Sequence, residues 1–280
     1  MEGKTIRLNR MFENKKAVFA ALVNSMYLGP QPGITSDSEF RRILLELSKN
    51  GLTGAMLSPG YIKQYSSLLG HRHSPAVIMS VGWTDKWRNA ELLGHDGFKG
   101  QHDFIANAEQ AAAYGADAVH DYVFLGSSNP ADDVAEMKRL GTLVRESERL
   151  GLPVLCEPLA RGTNVADGEQ NKPEFVALAA RMAAEAGADI VKVEYTGDPE
   201  SFKTVVDSTP VPTVMMGGAT RSSFLDFLVS LESAMTAGCS GVAVGRNLYL
   251  HERPADAIRA ITDVICQGKA AADAAKEYNL

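Results

Sequence analysis

Short apolar runs alternate along the chain with longer stretches whose apolar residues recur every three or four positions, and the alternation repeats eight times. The runs fall at 17–23, 54–57, 76–81, 118–125, 153–157, within 188–198, at 213–216 and at 241–244. Runs this short, bounded by glycine, proline or asparagine, read as buried strands. The stretches between them read as amphipathic helices. In 38–49, Phe40, Ile43, Leu44 and Leu47 share one face, Ser36 or Asp37 can cap the start, and Asn50-Gly51 ends the helix. Further helices are predicted at about 60–69, up to Tyr114, and at 130–150, 172–186, 199–207, 223–237 and from about Pro254 onward. Asp132 and Asp133 suit the positive end of the 130–150 helix.

Eight strand–helix units in 280 residues predict a closed (β/α)8 TIM barrel, with a doubly wound open sheet as the alternative. The recurring joints Gly115-Ala116-Asp117, Gly151-Leu152-Pro153 and Gly187-Ala188-Asp189 favour repeated units. No GxGxxG follows the first strand, so a dinucleotide site is not indicated. The expected organisation is one domain over 1–280, with a polar lead-in at 1–16 and a helical tail at 269–280. One interruption stands out. The polar segment 82–104, with Trp83 and Trp87, is either a lid over the barrel mouth or an oligomer contact.

Composition narrows the partners. A net charge of −6 argues against nucleic acid as a general partner but leaves room for a local cationic pocket. Three cysteines without close spacing give neither a disulfide framework nor a zinc knuckle, and Cys156 and Cys239 read as core thiols. There is no signal-peptide pattern in MEGKTIRLNR and no apolar run long enough to span a membrane. A cytoplasmic homo-oligomer is the expectation.

In such a barrel, chemistry belongs at the C-terminal ends of the strands. The stretch ADIVKVEYTGD, 188–198, sets Lys192 in an apolar strand with Glu194 two residues on, on the same face. Burial disfavours the charged form of a lysine and leaves an amine able to attack a carbonyl. The competing reading is an edge lysine whose ammonium reaches water, with Glu194 as its charge partner. Strand five ends in Glu157, placed for acid/base work or for an ion pair with Arg161. Strand four carries Asp121 and Tyr122, the latter a proton donor or a packing residue. Strands seven and eight run into Met216-Gly217-Gly218-Ala219-Thr220 and Val244-Gly245-Arg246-Asn247. Glycine loops there expose N–H groups at helix starts and suit a phosphate, with Arg246 adding a charge. His71, His73, His95 and His102 sit in loop-like segments without metal-ligand spacing, and Ser127-Ser128 lacks a nucleophile elbow.

These residues resemble the class I, Schiff-base aldolases, the superfamily of archaeal-type fructose-bisphosphate aldolases and the deoxyribose-phosphate and tagatose-bisphosphate aldolases. The resemblance runs from Arg10 to about Tyr249 and is most specific in ADIVKVEYTGD, the Gly217-Gly218 loop and GVAVGRNLY at 241–249. It implies that Lys192 forms the Schiff base and that Gly217, Gly218, Gly245 and Arg246 bind phosphate, with Asn24 and Arg161 also in the binding set. Two departures matter. The aspartate expected at the end of strand one is replaced in Val23-Asn24-Ser25, although Gly29-Pro30 still follows. The tyrosine expected after strand five is absent from CEPLARG, 156–162. Here the chain is more similar to the tagatose-bisphosphate and sulfosugar-phosphate aldolases, in which a glutamate precedes proline and the lysine strand reads lysine-x-glutamate. Glu157 then inherits the acid/base role, helped by Tyr122 or Glu194. The implied substrate is a phosphorylated ketose, fructose-1,6-bisphosphate-like, and no metal or organic cofactor is required. Transaldol-type transfer, a different aldol acceptor, and a catalytically impaired phosphosugar-binding protein are the alternatives.

Overall fold

The computed structural model describes residues 2–95, 99–218 and 223–280. Eight parallel strands close into a barrel: β1 Ala17–Ala21, β2 Gly54–Leu57, β3 Ala76–Ser80, β4 Ala118–Phe124, β5 Val154–Leu159, β6 Ile190–Val193, β7 Thr213–Met216 and β8 Gly241–Val244. Each pairs with its sequence neighbours, and β8 pairs with β1 to close the ring. The open-sheet alternative is thereby removed.

Side-chain alternation sorts each strand into an inner and an outer set. Phe19, Met56, Ile78, Leu155, Ile190 and Val214 fill the lower barrel. Their outward neighbours join the larger core beneath the helices, where Phe40, Ile43, Leu44 and Leu47 are buried as their spacing predicts. That helix spans Asp37–Ser48 and begins with Ser36 in a capping box with Glu39. The predicted 60–69 helix is split into Pro59–Gln64 and Ser66–Leu69.

The polar lead-in is a helix, Glu2–Met11, which plugs the bottom of the barrel. Met11 is fully buried there, with Leu8 and Phe12 packed beside it. Its cations explain why the segment reads as a polar lead-in. Lys4 pairs with Asp189 at 3.0 Å, Arg10 with Asp117 at 2.5 Å, and Arg7 donates to the Gly151 carbonyl at 2.9 Å. The repeated joints are thus the docking points of this helix. Asp117 and Asp189 also accept from the backbone N–H groups of Val77 and Val154, each at 2.9 Å, which fixes the entry of the neighbouring strand. At the other end of the chain, the tail forms the helix Ala271–Tyr278 against Phe224–Thr236, with Ala271 and Ala274 fully buried.

The interrupting segment is built on a hairpin in which Gly82–Thr84 pairs antiparallel with His102–Phe104. Residues 96–98 of it lie outside the described residues. The hairpin lies against the barrel mouth: Trp83 donates its indole N–H to the Met26 carbonyl at 3.0 Å, and Trp87 packs edge-on against Tyr122 and Phe124. No described helix is long and apolar enough to cross a membrane.

Candidate active site

At the C-terminal end of the barrel the inward alternation turns polar. Ser80 of β3, His120 and Tyr122 of β4, Glu157 of β5 and Lys192 of β6 continue the rows occupied lower down by Ile78, Ala118, Leu155 and Ile190. Above them opens a cavity of about 590 Å³, whose wall includes Asn24, Tyr122, Glu157, Lys192, Glu194 and Arg246. Gly217, Gly218, Gly245 and Arg161 also line it, so all ten sequence-predicted site residues reach one cavity.

Lys192 and Glu157 form its floor. Lys192 is 5% exposed and Glu157 3%, and Nζ stands 2.5 Å from Oε2. An edge lysine reaching water is therefore not what the fold produces. Burial pushes the Glu157 carboxyl up, but the Lys192 ammonium and the His120 ring pull it down further, leaving it below the usual carboxylate range. Both charge-partner expectations change. Glu157 pairs with Lys192, not Arg161, and Glu194 pairs with Arg161, not Lys192. The reason is reach: β6 ends at Val193, so Glu194 sits a level above Lys192, where the loop after β5 brings Arg161 across. The Arg161 guanidinium also lies 5.6 Å from the centre of the Trp87 ring.

Tyr122 packs edge-on against Tyr27 at 5.5 Å between ring centres, and the Tyr27 hydroxyl donates to the Gly82 carbonyl at 3.3 Å. Burial first, then Tyr27 and Glu157, push the Tyr122 phenol well above its ordinary value, so it remains a neutral phenol. The ring thus serves the wall of the cavity and also presents a hydroxyl.

The two glycine loops meet through side chains. Arg246 donates to the Gly218 carbonyl at 3.3 Å, and Asn247 donates to the Gly217 carbonyl at 2.8 Å. The Gly217 N–H is engaged by the Ala243 carbonyl at 3.0 Å, so it extends the β7–β8 ladder and is not offered to an anion. Gly218, with φ +69°, turns the chain out of the strand in a conformation that favours glycine. The helix after Gly245 is a single turn, Arg246–Tyr249, too short for the dipole contribution expected there. Ala219 and Thr220 of the predicted loop lie outside the described residues. Asn24 starts the turn Ser25–Leu28, with its side chain beside Gly245 rather than capping the helix.

Sequence reasoning missed Ser80, His120 and Tyr27, and named Trp87 only as part of a lid or oligomer contact. The signal for His120 was present in AVHDYVF: strict alternation puts 120 and 122 inside the barrel and Asp121 outside. His102, read as a loop residue, lies in the hairpin strand. Its buried ring sits between Asp121, at 2.9 Å, and Glu136, at 3.2 Å, with Arg139 alongside. Among the described residues no group of three His, Cys, Asp or Glu side chains is arranged to hold a metal ion.

Comparison with known proteins agrees with this geometry. The model of the DeoC/LacD family of aldolases matches residues 31–251. The chain belongs to this family. An uncharacterised aldolase of Saccharolobus solfataricus is 31% identical over 265 residues, 95% of each chain. The 2-amino-3,7-dideoxy-D-threo-hept-6-ulosonate synthase of Halobacterium salinarum is 28% identical, over 94% of this chain and 91% of its own. The class 1 fructose-bisphosphate aldolase of Thermoproteus tenax is 29% identical, over 98% of both. Among solved structures, an archaeal fructose-1,6-bisphosphate aldolase with its catalytic lysine bound to the carbinolamine intermediate superposes with a TM-score of 0.78. It is 26% identical, over 94% of this chain and 99% of its own. The family is one of aldolases, and the barrel is the fold of these relatives.

Proposed function

We propose that the chain is a class I aldolase that cleaves or forms a carbon–carbon bond in a phosphorylated ketose through a Schiff base on Lys192. The observation that carries this is the buried Lys192–Glu157 pair on the cavity floor. In the cleavage direction, the Lys192 ammonium passes a proton to Glu157 and the free amine attacks the substrate C2 carbonyl. The carbinolamine hydroxyl takes the proton back from Glu157 and leaves as water, giving an iminium and a carboxylate. Glu157 then removes the C4 hydroxyl proton. The C3–C4 bond breaks, its electron pair flows into the iminium to form an enamine, and the aldehyde fragment leaves. Protonation at C3 by Glu157 and hydrolysis of the iminium release the ketone and restore the amine. Tyr122 supplies a neutral hydroxyl near these oxygens, and Arg161–Glu194 borders the rim.

Gly218, Gly245 and Arg246 would hold the phosphate of the ketone fragment. Arg246→Ala is expected to raise KM for a ketose phosphate roughly 10–100-fold, with a smaller change in kcat, the mark of a charge-assisted contact made in ground and transition state alike. Steady-state kinetics check this.

The direct test is borohydride reduction in the presence of dihydroxyacetone phosphate, followed by peptide mass mapping. A reduced adduct on the peptide containing Lys192 is expected, and its absence overturns the mechanism. Fructose-1,6-bisphosphate is the first substrate to assay. The Halobacterium relative supports a second reading, with the same lysine chemistry and a different acceptor. Retro-aldol and transfer assays separate the two.

A further inference from the structure

Glu157 is held by more than the lysine. His120 of β4 is fully buried, and its Nε2 lies 3.3 Å from Oε2 of Glu157, the same oxygen that Lys192 engages. On the other side of the ring, Nδ1 lies 2.9 Å from the hydroxyl of Ser80, also fully buried. The register explains the chain of contacts. Ser80 pairs directly with His120 across β3 and β4, while Glu157 stands one inward position higher, level with Lys192.

We propose that His120 is a positioning residue for the reaction: it fixes Oε2 of Glu157 as an acceptor and leaves Oε1 to face the substrate, with Ser80 fixing the tautomer of the ring. The inference rests on the reading of Lys192 and Glu157 given above.

The polarity follows from the groups. Burial pulls the His120 ring down more than Glu157 raises it, so the imidazole is neutral. An ionised carboxylate only accepts hydrogen bonds, so Nε2 carries the hydrogen and donates to Glu157. Nδ1 is then an acceptor, and the Ser80 hydroxyl donates to it. Among the described residues no partner is seen for Oε1.

The need for such a holder arises within the cycle. Once Lys192 is bonded to substrate carbon, its nitrogen has given up hydrogens and is tied to the ligand. The Lys192–Glu157 bond then no longer fixes the carboxylate. His120 forms no bond to the substrate or to Lys192, so its hold on Oε2 persists through carbinolamine, iminium and enamine. Oε1 can take and return protons at C3 and the C4 hydroxyl without rotation of the carboxyl group. A misplacement of about 1 Å in a proton-transfer group costs on the order of 10²-fold in rate.

The test uses His120→Leu, His120→Gln and Ser80→Ala in the full chain. Two readouts are compared with the wild type: deuterium exchange at C3 of dihydroxyacetone phosphate by NMR across pH, and borohydride trapping at Lys192. In His120→Leu, exchange is expected to fall about 10²-fold. Its acid limb should move to higher pH by about one unit, because the carboxylate loses a donor. Trapping should persist at long incubation. Gln, whose amide N–H reaches about as far as Nε2, should recover most of the rate and return the limb, and Ser80→Ala should shift it partway. An unmoved acid limb in His120→Leu overturns the proposal, as does a rate loss that Gln does not recover, since packing alone would give either. If His120→Leu does not fold, the Gln and Ser80→Ala profiles decide: no shift in Ser80→Ala together with loss of exchange in Gln overturns the proposal. A wild type that neither exchanges nor traps would overturn the Lys192 reading and this one together, whereas a normal wild type with unaltered variants removes this one alone.

Discussion

Replacing Lys192 by methionine is expected to abolish both turnover and the borohydride adduct, and to destabilise the fold at neutral pH by about 3–5 kcal/mol. The two effects have separate causes. The first is loss of the nucleophile, whose role no other amine can take among the described residues, since the other cations lining the cavity, Arg161 and Arg246, are guanidiniums. The second comes from what is left behind. Glu157 is 3% exposed, and in the native protein the Lys192 charge and the His120 ring outweigh its burial. With methionine at 192, burial dominates and the folded carboxyl is raised above its unfolded value of about 4.3. The sign reverses accordingly. In the native chain the depressed Glu157 contributes stability that is present above the unfolded value and lost as pH falls through the folded one. In Lys192→Met the raised carboxyl destabilises above the unfolded value, and that penalty disappears as pH falls below it. Urea unfolding at pH 7 and near pH 4 should therefore show the gap between wild type and variant narrowing in acid. The double variant Lys192→Met/Glu157→Gln should regain most of the neutral-pH stability and none of the activity. Equal stability of the single and double variants at pH 7 would show that the pair is not held as buried ions.

The order of strands and the rows of inward residues were legible because each strand is short and each helix amphipathic, so period two and period 3.6 separate cleanly. Lys192 and Glu157 stood out for the same reason: a charge inside an apolar run has few bland explanations. Their pairing was not legible. Whether Glu157 meets Arg161 or Lys192 depends on barrel stagger, which sets Cys156 opposite Val191 and so brings Glu157 level with Lys192. The N-terminal helix was hidden because it buries Met11 fully and Leu8 only in part, and its cations are spent on carboxylates and a carbonyl more than 100 positions away. The glycine loops were found as loops, but the Gly217 N–H belongs to the barrel ladder, and nothing in a pair of glycines tells which donates inward. His102 was misplaced because the segment around it is polar and aperiodic; its strand exists through pairing with Gly82–Thr84 and through an ionic cluster supplied by distant residues.

That cluster sets the second large expected effect. Replacing His102 by leucine should destabilise the protein by about 3–5 kcal/mol at neutral pH and detach the inserted hairpin from the barrel. The side chains of His102 and Asp121 are fully buried, Glu136 and Arg139 nearly so, and the rings of Tyr122 and Phe124 close the remaining sides. Burial pulls the His102 ring down, but Asp121 and Glu136 together push it up further against an opposing Arg139, so the net direction is upward. Below its raised value the imidazolium, with the Arg139 guanidinium, balances the two carboxylates, and removing the ring then leaves one negative charge uncompensated in the interior. Close approach at Gly82 shows how tightly the hairpin is seated: a Cβ there would stand 1.9 Å from Asp121 Oδ1 and 2.6 Å from His102 Nε2. Because the folded His102 is raised above its unfolded value of about 6.5, its contribution is fully present below that pH and is lost as pH rises through the folded value. Native stability should therefore decline on the alkaline side, and the decline should be absent in His102→Leu. The consequence reaches the cavity through Trp87, which is packed on Tyr122 and Phe124 and carries Arg161 over its ring. Detachment of the hairpin should shift tryptophan emission to longer wavelength and raise KM more than it lowers kcat, since Lys192 and Glu157 stay on their strands. A variant with wild-type emission and an unchanged alkaline stability profile would show that the hairpin is held by its aromatic contacts alone.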